Sequence, residues 1–161
     1  MNKSKFNSKY HQGVFIPKNK EKYIGVYPVK FRSSWEYHFM LYTDSNENVI
    51  KWSSETVVIP YKDLEGKMHR YYTDFYYELK NPNNPVLLEK VLVEIKPSKE
   101  LLPPTRPTNE STKSLTNYEY SIRTYMKNKL KWSAASDFCN QRGWKFIIIT
   151  EEHLKKYGIM K

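Results

Sequence analysis

Residues 91–97, VLVEIKP, constrain this chain more than any other stretch. Val91, Leu92, Val93 and Ile95 form an apolar run suited to a strand crossing a core, and Pro97 cannot extend a sheet ladder. Glu94 and Lys96 stand within that run. Side chains on a strand alternate, so this acid and base share one face, roughly 7 Å apart along the backbone. Leu92 shares that face, while Val91, Val93 and Ile95 point the other way. Such a pair at the end of an apolar strand is either a surface salt bridge or a site.

The flanking sequence supplies an α/β frame. Ser33 or Ser34 caps a helix predicted from Trp35 to about Tyr42, with Glu36 in its first turn. DSNEN (44–48) is a turn, ETVVIPY (55–61) a first strand, and KDLEGK (62–67) a hairpin loop with Gly66 suited to positive φ. HRYYTDFYYEL (69–79) reads as one aromatic-rich second strand, NPNNP (81–85) as a loop and VLVEIK as the third strand. Four prolines make 97–109 extended. Leu115, Tyr118, Ile122 and Tyr125 recur at helical spacing. A second helical face, Trp132, Ala135, Phe138 and Cys139, is closed by Gly143 as a C-terminal cap. KFIIIT (145–150) reads as a short buried strand, and Thr150 caps a terminal helix begun by Glu151 and Glu152.

The order is helix, three-strand meander, one or two helices, strand, helix. It predicts an α/β fold in which helices flank a mixed sheet. Neither side of the proline segment has enough strands to close a sheet alone, so that segment reads as a crossover within one domain.

Charge is unevenly placed. The formal charge is +10, and residues 1–32 hold seven Lys and Arg32 against one acid, Glu21, a net +7 that leaves +3 for the other 129 residues. This predicts a basic arm, 1–30, ahead of a domain at 31–161, and a polyanionic partner, most simply nucleic acid. The arm's lysines suit phosphate contacts. They equally suit an extended segment wrapped on a capsid or portal protein. Cys139 is the single cysteine, which excludes an intrachain disulfide and a thiolate metal cluster and reads as core. His11, His38, His69 and His153 lack zinc-ligand spacing, and there is no glycine-rich phosphate loop. No apolar run approaches the ~20 residues of a membrane span. The basic start, MNKSKFNSKY, has no apolar signal-peptide region, so the chain reads as soluble and intracellular.

If NPNNP turns a hairpin, Asp74 on the second strand converges with Glu94 near one end of the sheet, with Lys96 beside them. Two carboxylates suit Mg²⁺, a hard cation that usually keeps several waters. The metal would acidify a bound water and neutralise charge on a scissile phosphate. Lys96 would orient that water or stabilise developing negative charge. Glu36 would complete the site from the first helix as a third carboxylate or a metal-ordering group. Arg32 and Lys131 are candidate phosphate contacts; Glu55 is a further candidate acid for the site, with a surface position where its strand begins as the plainer reading. The tyrosines of 71–77 read as core and cross-strand pairs rather than base stackers. The E-x-K tripeptide alone is common on solvated strands. Here it ends an apolar strand, follows a strand bearing Asp and lies in a strongly basic chain.

This D-x₁₉-E-x-K pattern, with helix-borne Glu36 and a later α/β unit, resembles the PD-(D/E)XK, or restriction-endonuclease-like, superfamily. Longer stretches narrow the likeness: FIPKNKEKYIG (15–25), FRSSWE (31–36), ETVVIPY (55–61), RYYTDF (70–75), VEIKPSKE (93–100), PPTRP (103–107) and KWSAASDFCNQRGWKFIIITEEHL (131–154). Together they resemble the head-completion nucleases of tailed phages over residues 15–158, and more distantly the endonuclease subunit of certain cut-and-paste transposases. The resemblance implies DNA cleavage with Mg²⁺, or Mn²⁺ in its place, tied to finishing DNA-filled heads before tails attach. It implies a setting in the host cytoplasm or at the virion's head–tail junction, beside portal, neck or capsid proteins. It matches Glu36 to the family's helix acid, Asp74 to its strand acid and Glu94 with Lys96 to its E-x-K pair, so that Asp74 and Glu94 hold the metal. Thr73 stands where the superfamily's name has proline, and residues 1–14 have no counterpart. Two other roles fit the same fold: a structural head–tail connector or DNA plug that does not cut, and a nuclease for branched DNA.

Overall fold

The structure, a computed structural model, describes residues 11–161 and the backbone of Phe6 and Asn7. The rest of residues 1–10, and with them Lys3, Lys5 and Lys9 of the expected basic arm, lies outside the described residues. Strands β1 (Phe6–Asn7), β2 (Gln12–Phe15) and β3 (Val29–Phe31) pair antiparallel in that order. Helix α1 (Ser34–Ser45) follows, capped by Ser33, whose Oγ accepts from the Glu36 N–H at 3.1 Å. The central sheet has the order β4 (Val49–Ser54), β7 (Phe75–Asn81), β8 (Asn84–Ile95), β9 (Lys145–Ile149). Its β8–β9 pair is parallel and the others antiparallel, so the sheet is mixed. A separate hairpin joins β5 (Val58–Lys62) to β6 (Met68–Tyr72). Helices α2 (Thr112–Asn140) and α3 (Glu151–Lys156) complete the chain.

Alternation on β8 builds the two layers of the core. Val91, Val93 and Ile95 pack with Phe39 and Met40 of α1, Trp52 of β4, Phe75 of β7 and Leu154 of α3. Leu92, on the opposite face, packs with Tyr71 of the hairpin and with Trp132, Ala135 and Cys139 of α2. Burying each such large apolar side chain contributes about 1.5–3 kcal/mol. Glu94 shares Leu92's face and therefore points toward α2 and the hairpin. The α/β class holds, with a mixed sheet between helices.

Several local expectations change. The stretch 69–79 is not one strand: it breaks at Thr73–Asp74, leaving β6 in the hairpin and β7 in the central sheet. The expected first strand pairs only with β6, and its place in the central sheet is taken by β4, whose residues VIKWSS show no clean alternation to announce it. Residues 112–140 form one helix of 29 residues. It ends ahead of Gly143, which turns the chain at φ 66° so that the Trp144 N–H reaches the Cys139 carbonyl at 2.9 Å. Ser98–Leu101 form a 3₁₀ turn within the proline segment, and β9 is a half-buried sheet edge rather than a buried strand. Within residues 11–31, Phe15, Tyr23, Val29 and Phe31 are core residues. The Phe15 and Tyr23 rings pack against the Trp52 indole at centroid distances of 5.8 and 4.6 Å.

Candidate active site

Three chain segments meet at the C-terminal end of β8. Phe75 lies opposite Val93 in the antiparallel ladder, which puts Asp74, the residue before β7, alongside Glu94. The Ile95 N–H donates to Asp74 Oδ2 at 2.7 Å, tying the carboxylate to the strand that carries Glu94. Lys96 follows at once, and its N–H donates to the Ile149 carbonyl at 2.9 Å, so backbone pairing with β9 continues to the residue before Pro97.

Glu94 is a buried carboxylate, 5 % exposed, with two partners. Tyr71 Oη donates to its Oε2 at 2.8 Å, and Lys96 Nζ lies 3.4 Å from its Oε1. A buried charge without partners would be strongly unfavourable. Here the strand's own lysine and a tyrosine of the hairpin share the compensation.

The charges act on one another. Burial pushes the Asp74 carboxyl well above the usual carboxylate range, and the Glu94 and Glu36 carboxylates push the same way; the Ile95 N–H and Lys96 oppose them. Burial alone would lower Lys96, but the carboxylates of Glu94, Asp74 and Glu100 outweigh it and hold the ammonium above the ordinary lysine value. Burial, then Glu94, also raises the Tyr71 phenol, which stays a donor. Two adjacent carboxyls, one of them reluctant to ionise, are a donor set that a divalent cation relieves. Among the described residues no group of three or more His, Cys, Asp and Glu side chains is arranged around a metal position. Mg²⁺ needs none, since it binds through one or two carboxylates and retains water.

Glu36 stands at the start of α1. Its Oε2 accepts from the Arg32 N–H at 2.7 Å and its Oε1 from Ser33 Oγ at 3.2 Å, and burial raises its carboxyl. Arg32 is exposed and engaged by Glu55 through both terminal guanidinium nitrogens, at 2.9 and 3.1 Å. Glu55 lies in the turn between β4 and β5, at φ 53°, and its N–H donates to the Asp74 carbonyl at 3.0 Å. Its side chain is 37 % exposed and engaged by Arg32, while its backbone is bonded to Asp74 itself. Lys131 of α2 lies over the Tyr71 ring, 5.3 Å from the centroid, and 6.0 Å from that of Tyr61. Burial and Lys127 lower its pKa, with Glu94 acting against them. Asp74, Glu94 and Lys96 thus converge, Glu36 acts on them through its charge, and Arg32 is held aside by Glu55.

Tyr71 is the partner that reading along the chain missed. Its position in RYYTDF, three residues before Asp74, looks like strand packing, and only the break at Thr73 turns its hydroxyl onto Glu94.

A mixed sheet with two carboxylates and a lysine at one strand end defines an endonuclease-like class. The chain belongs to the TnsA-like endonuclease N-terminal family, which matches residues 46–151, a span that holds Asp74, Glu94, Lys96 and Lys131. It is also 37 % identical over 150 residues to the head completion nuclease of Enterobacteria phage T4, covering 92 % of this chain and 96 % of that protein. The restriction-endonuclease-like resemblance is borne out.

Proposed function

We propose that this chain is a metal-dependent deoxyribonuclease that hydrolyses DNA phosphodiesters during phage head completion. The convergence of Asp74, Glu94 and Lys96 at the end of β8 carries this reading. Membership of an endonuclease family supports the reaction, and the name of the T4 relative supports the setting. That setting is the host cytoplasm, at DNA-filled heads, with portal, neck or capsid proteins as neighbours.

Asp74 and Glu94 would hold Mg²⁺, or Mn²⁺ in its place. When bound, the cation acidifies a water and offsets charge on the scissile phosphate. The chain's own residues do the positioning. The Ile95 N–H fixes Asp74, and Tyr71 and Lys96 fix the two oxygens of Glu94. Lys96 is held as an ammonium, so at neutral pH it is a donor to developing negative charge and not a base. Glu36 adds negative charge that favours a cation at Asp74. Lys131, and Arg32 once it exchanges Glu55 for a phosphate, contact the DNA backbone.

Incubating the purified protein with linear DNA tests the reading. Cutting is expected with Mg²⁺ or Mn²⁺, none in EDTA, and none from Glu94→Ala protein that keeps its thermal unfolding transition. No cutting by the wild type with either ion would leave a non-catalytic connector as the better account. Undiminished cutting by Glu94→Ala would remove this residue from the site.

A further inference from the structure

Between the 3₁₀ turn at Ser98–Leu101 and the middle of α2 lies a cleft of about 300 Å³. Leu102 and Pro104 form one wall, Tyr120 and Tyr125 of α2 the other, with Lys99 and Asn128 also lining it. That volume is at the small end of ligand sites, sized for one planar heterocycle rather than a folded segment.

Two features point to what enters. Asn128 is 8 % exposed and lines the cleft. Its carboxamide, with donors and an acceptor at the cleft lining, can hydrogen-bond a polar ligand that enters. Tyr120, by contrast, is 73 % exposed, a large aromatic face held in water at the same cleft.

The cleft adjoins the candidate active site. Lys99 and Glu100 follow Lys96 by three and four residues, and the Glu100 carboxylate acts on the Lys96 ammonium. Asn128 precedes Lys131 by three residues, roughly 4.5 Å along the helix axis and on the same side. Lys99 lines the cleft, and Lys127 and Lys131 flank Asn128 along α2, positive charge that favours a polyanion over a neutral ligand.

We propose that the cleft binds an unpaired nucleobase of the DNA strand next to the cut position; this rests on the nuclease reading above. Tyrosine rings stack on any base, and stacking tolerates sequence. The Asn128 carboxamide offers two N–H donors and one acceptor to a base edge, and Glu100 can accept from an exocyclic amine. Lys99 and Lys127 meet the flanking phosphates. A base inside a duplex would first have to leave its stack, at an energetic cost. The cleft therefore selects DNA with a single-stranded tail or a frayed end.

Fluorescence anisotropy on the full chain in EDTA tests this without cleavage. The DNAs are a 20-base-pair blunt duplex, the same duplex with a four-nucleotide tail (3′ or 5′), and the same tails built from abasic nucleotides. Abasic tails keep the phosphates and lose the bases. The natural tail of one polarity is expected to bind about tenfold more tightly than its abasic counterpart. Tyr120→Ala and Asn128→Leu should each bring that ratio to about one. Tyr120 is exposed, so its variant keeps the test usable if Asn128→Leu does not fold. Equal affinity for natural and abasic tails in both polarities, or variants that keep the ratio, would overturn the proposal. Mg²⁺-dependent cutting of the blunt duplex is measured in parallel: its absence sinks the nuclease reading, while the tail ratio judges the cleft.

Discussion

The Tyr71 hydroxyl donates to Glu94 Oε2 at 2.8 Å and thereby joins the β5–β6 hairpin to the central strand β8. The bond makes a residue of one sheet responsible for the orientation of a buried carboxylate in another. Tyr71→Phe deletes it while keeping the ring in the core. A hydrogen bond to a charged group contributes about 1.5–3 kcal/mol. Denaturant unfolding should show a loss of that order, and single-turnover cutting should slow about tenfold or more. A wild-type rate in Tyr71→Phe would mean that the strand alone positions Glu94.

Lys96 separates charge from proton transfer. Its pKa is raised because neighbouring carboxylates outweigh burial, so the ammonium persists through the neutral range and beyond. Lys96→Met should lower the cutting rate by about 10²–10³-fold, the scale of losing one preorganised donor. Lys96→Arg keeps the charge and should retain part of the activity. If Arg is as inactive as Met, geometry rather than charge sets this residue's role.

Asp74 predicts a pH dependence with a definite sign. Its folded-state pKa is raised, so between the ordinary aspartate value and the raised one the native state binds more protons than the unfolded chain. Metal-free stability therefore falls as pH rises through that window. In EDTA at pH 8, Asp74→Asn should melt above the wild type, at roughly 2–4 °C per kcal/mol gained, because its uncharged oxygen can still accept from the Ile95 N–H. Mg²⁺ should stabilise the wild type increasingly as pH rises and should not stabilise Asp74→Asn in that way. Calorimetry across pH, with and without Mg²⁺, reads both effects.

Thr73 is buried at 1 % exposure, and its Oγ1 finds no partner among the described residues. Thr73→Val has nearly the same shape without the unsatisfied hydroxyl. It should stabilise the fold by about 1 kcal/mol and raise the melting temperature by a few degrees. The backbone bond from the Thr73 N–H to the Val57 carbonyl, at 3.3 Å, is retained in that variant. A lower melting temperature would show that the hydroxyl is satisfied in solution.

The strand VLVEIK, the Ser33 cap, the hairpin loop at Gly66 and the Thr150-capped last helix follow from period, capping chemistry and turn chemistry. These are properties of neighbouring residues, and so they can be read along the chain. The two faces of β8 follow the same way, because a strand that buries both sides must alternate its partners.

Other features depend on distant residues. Phe15 and Tyr23 look like members of a basic, irregular segment until Trp52 packs against them. β4 has a weak pattern of its own and is a strand because β7 pairs with it. The break after Tyr72 has no local signal, since RYYTDFYY carries the aromatic and β-favouring residues of a continuous strand. It is set by long-range backbone bonds, from Thr73 to Val57 and from Glu55 to Asp74.

By itself, then, the order of residues determined an apolar strand ending in Glu94 and Lys96, with an acid placed to join them. Tertiary structure alone decided that Asp74 leaves one sheet for another, that Tyr71 turns onto Glu94, and that Glu55 draws Arg32 aside. Strand period and capping are local forces and are written locally. The alignment of buried charges depends on which backbone groups find partners across the fold.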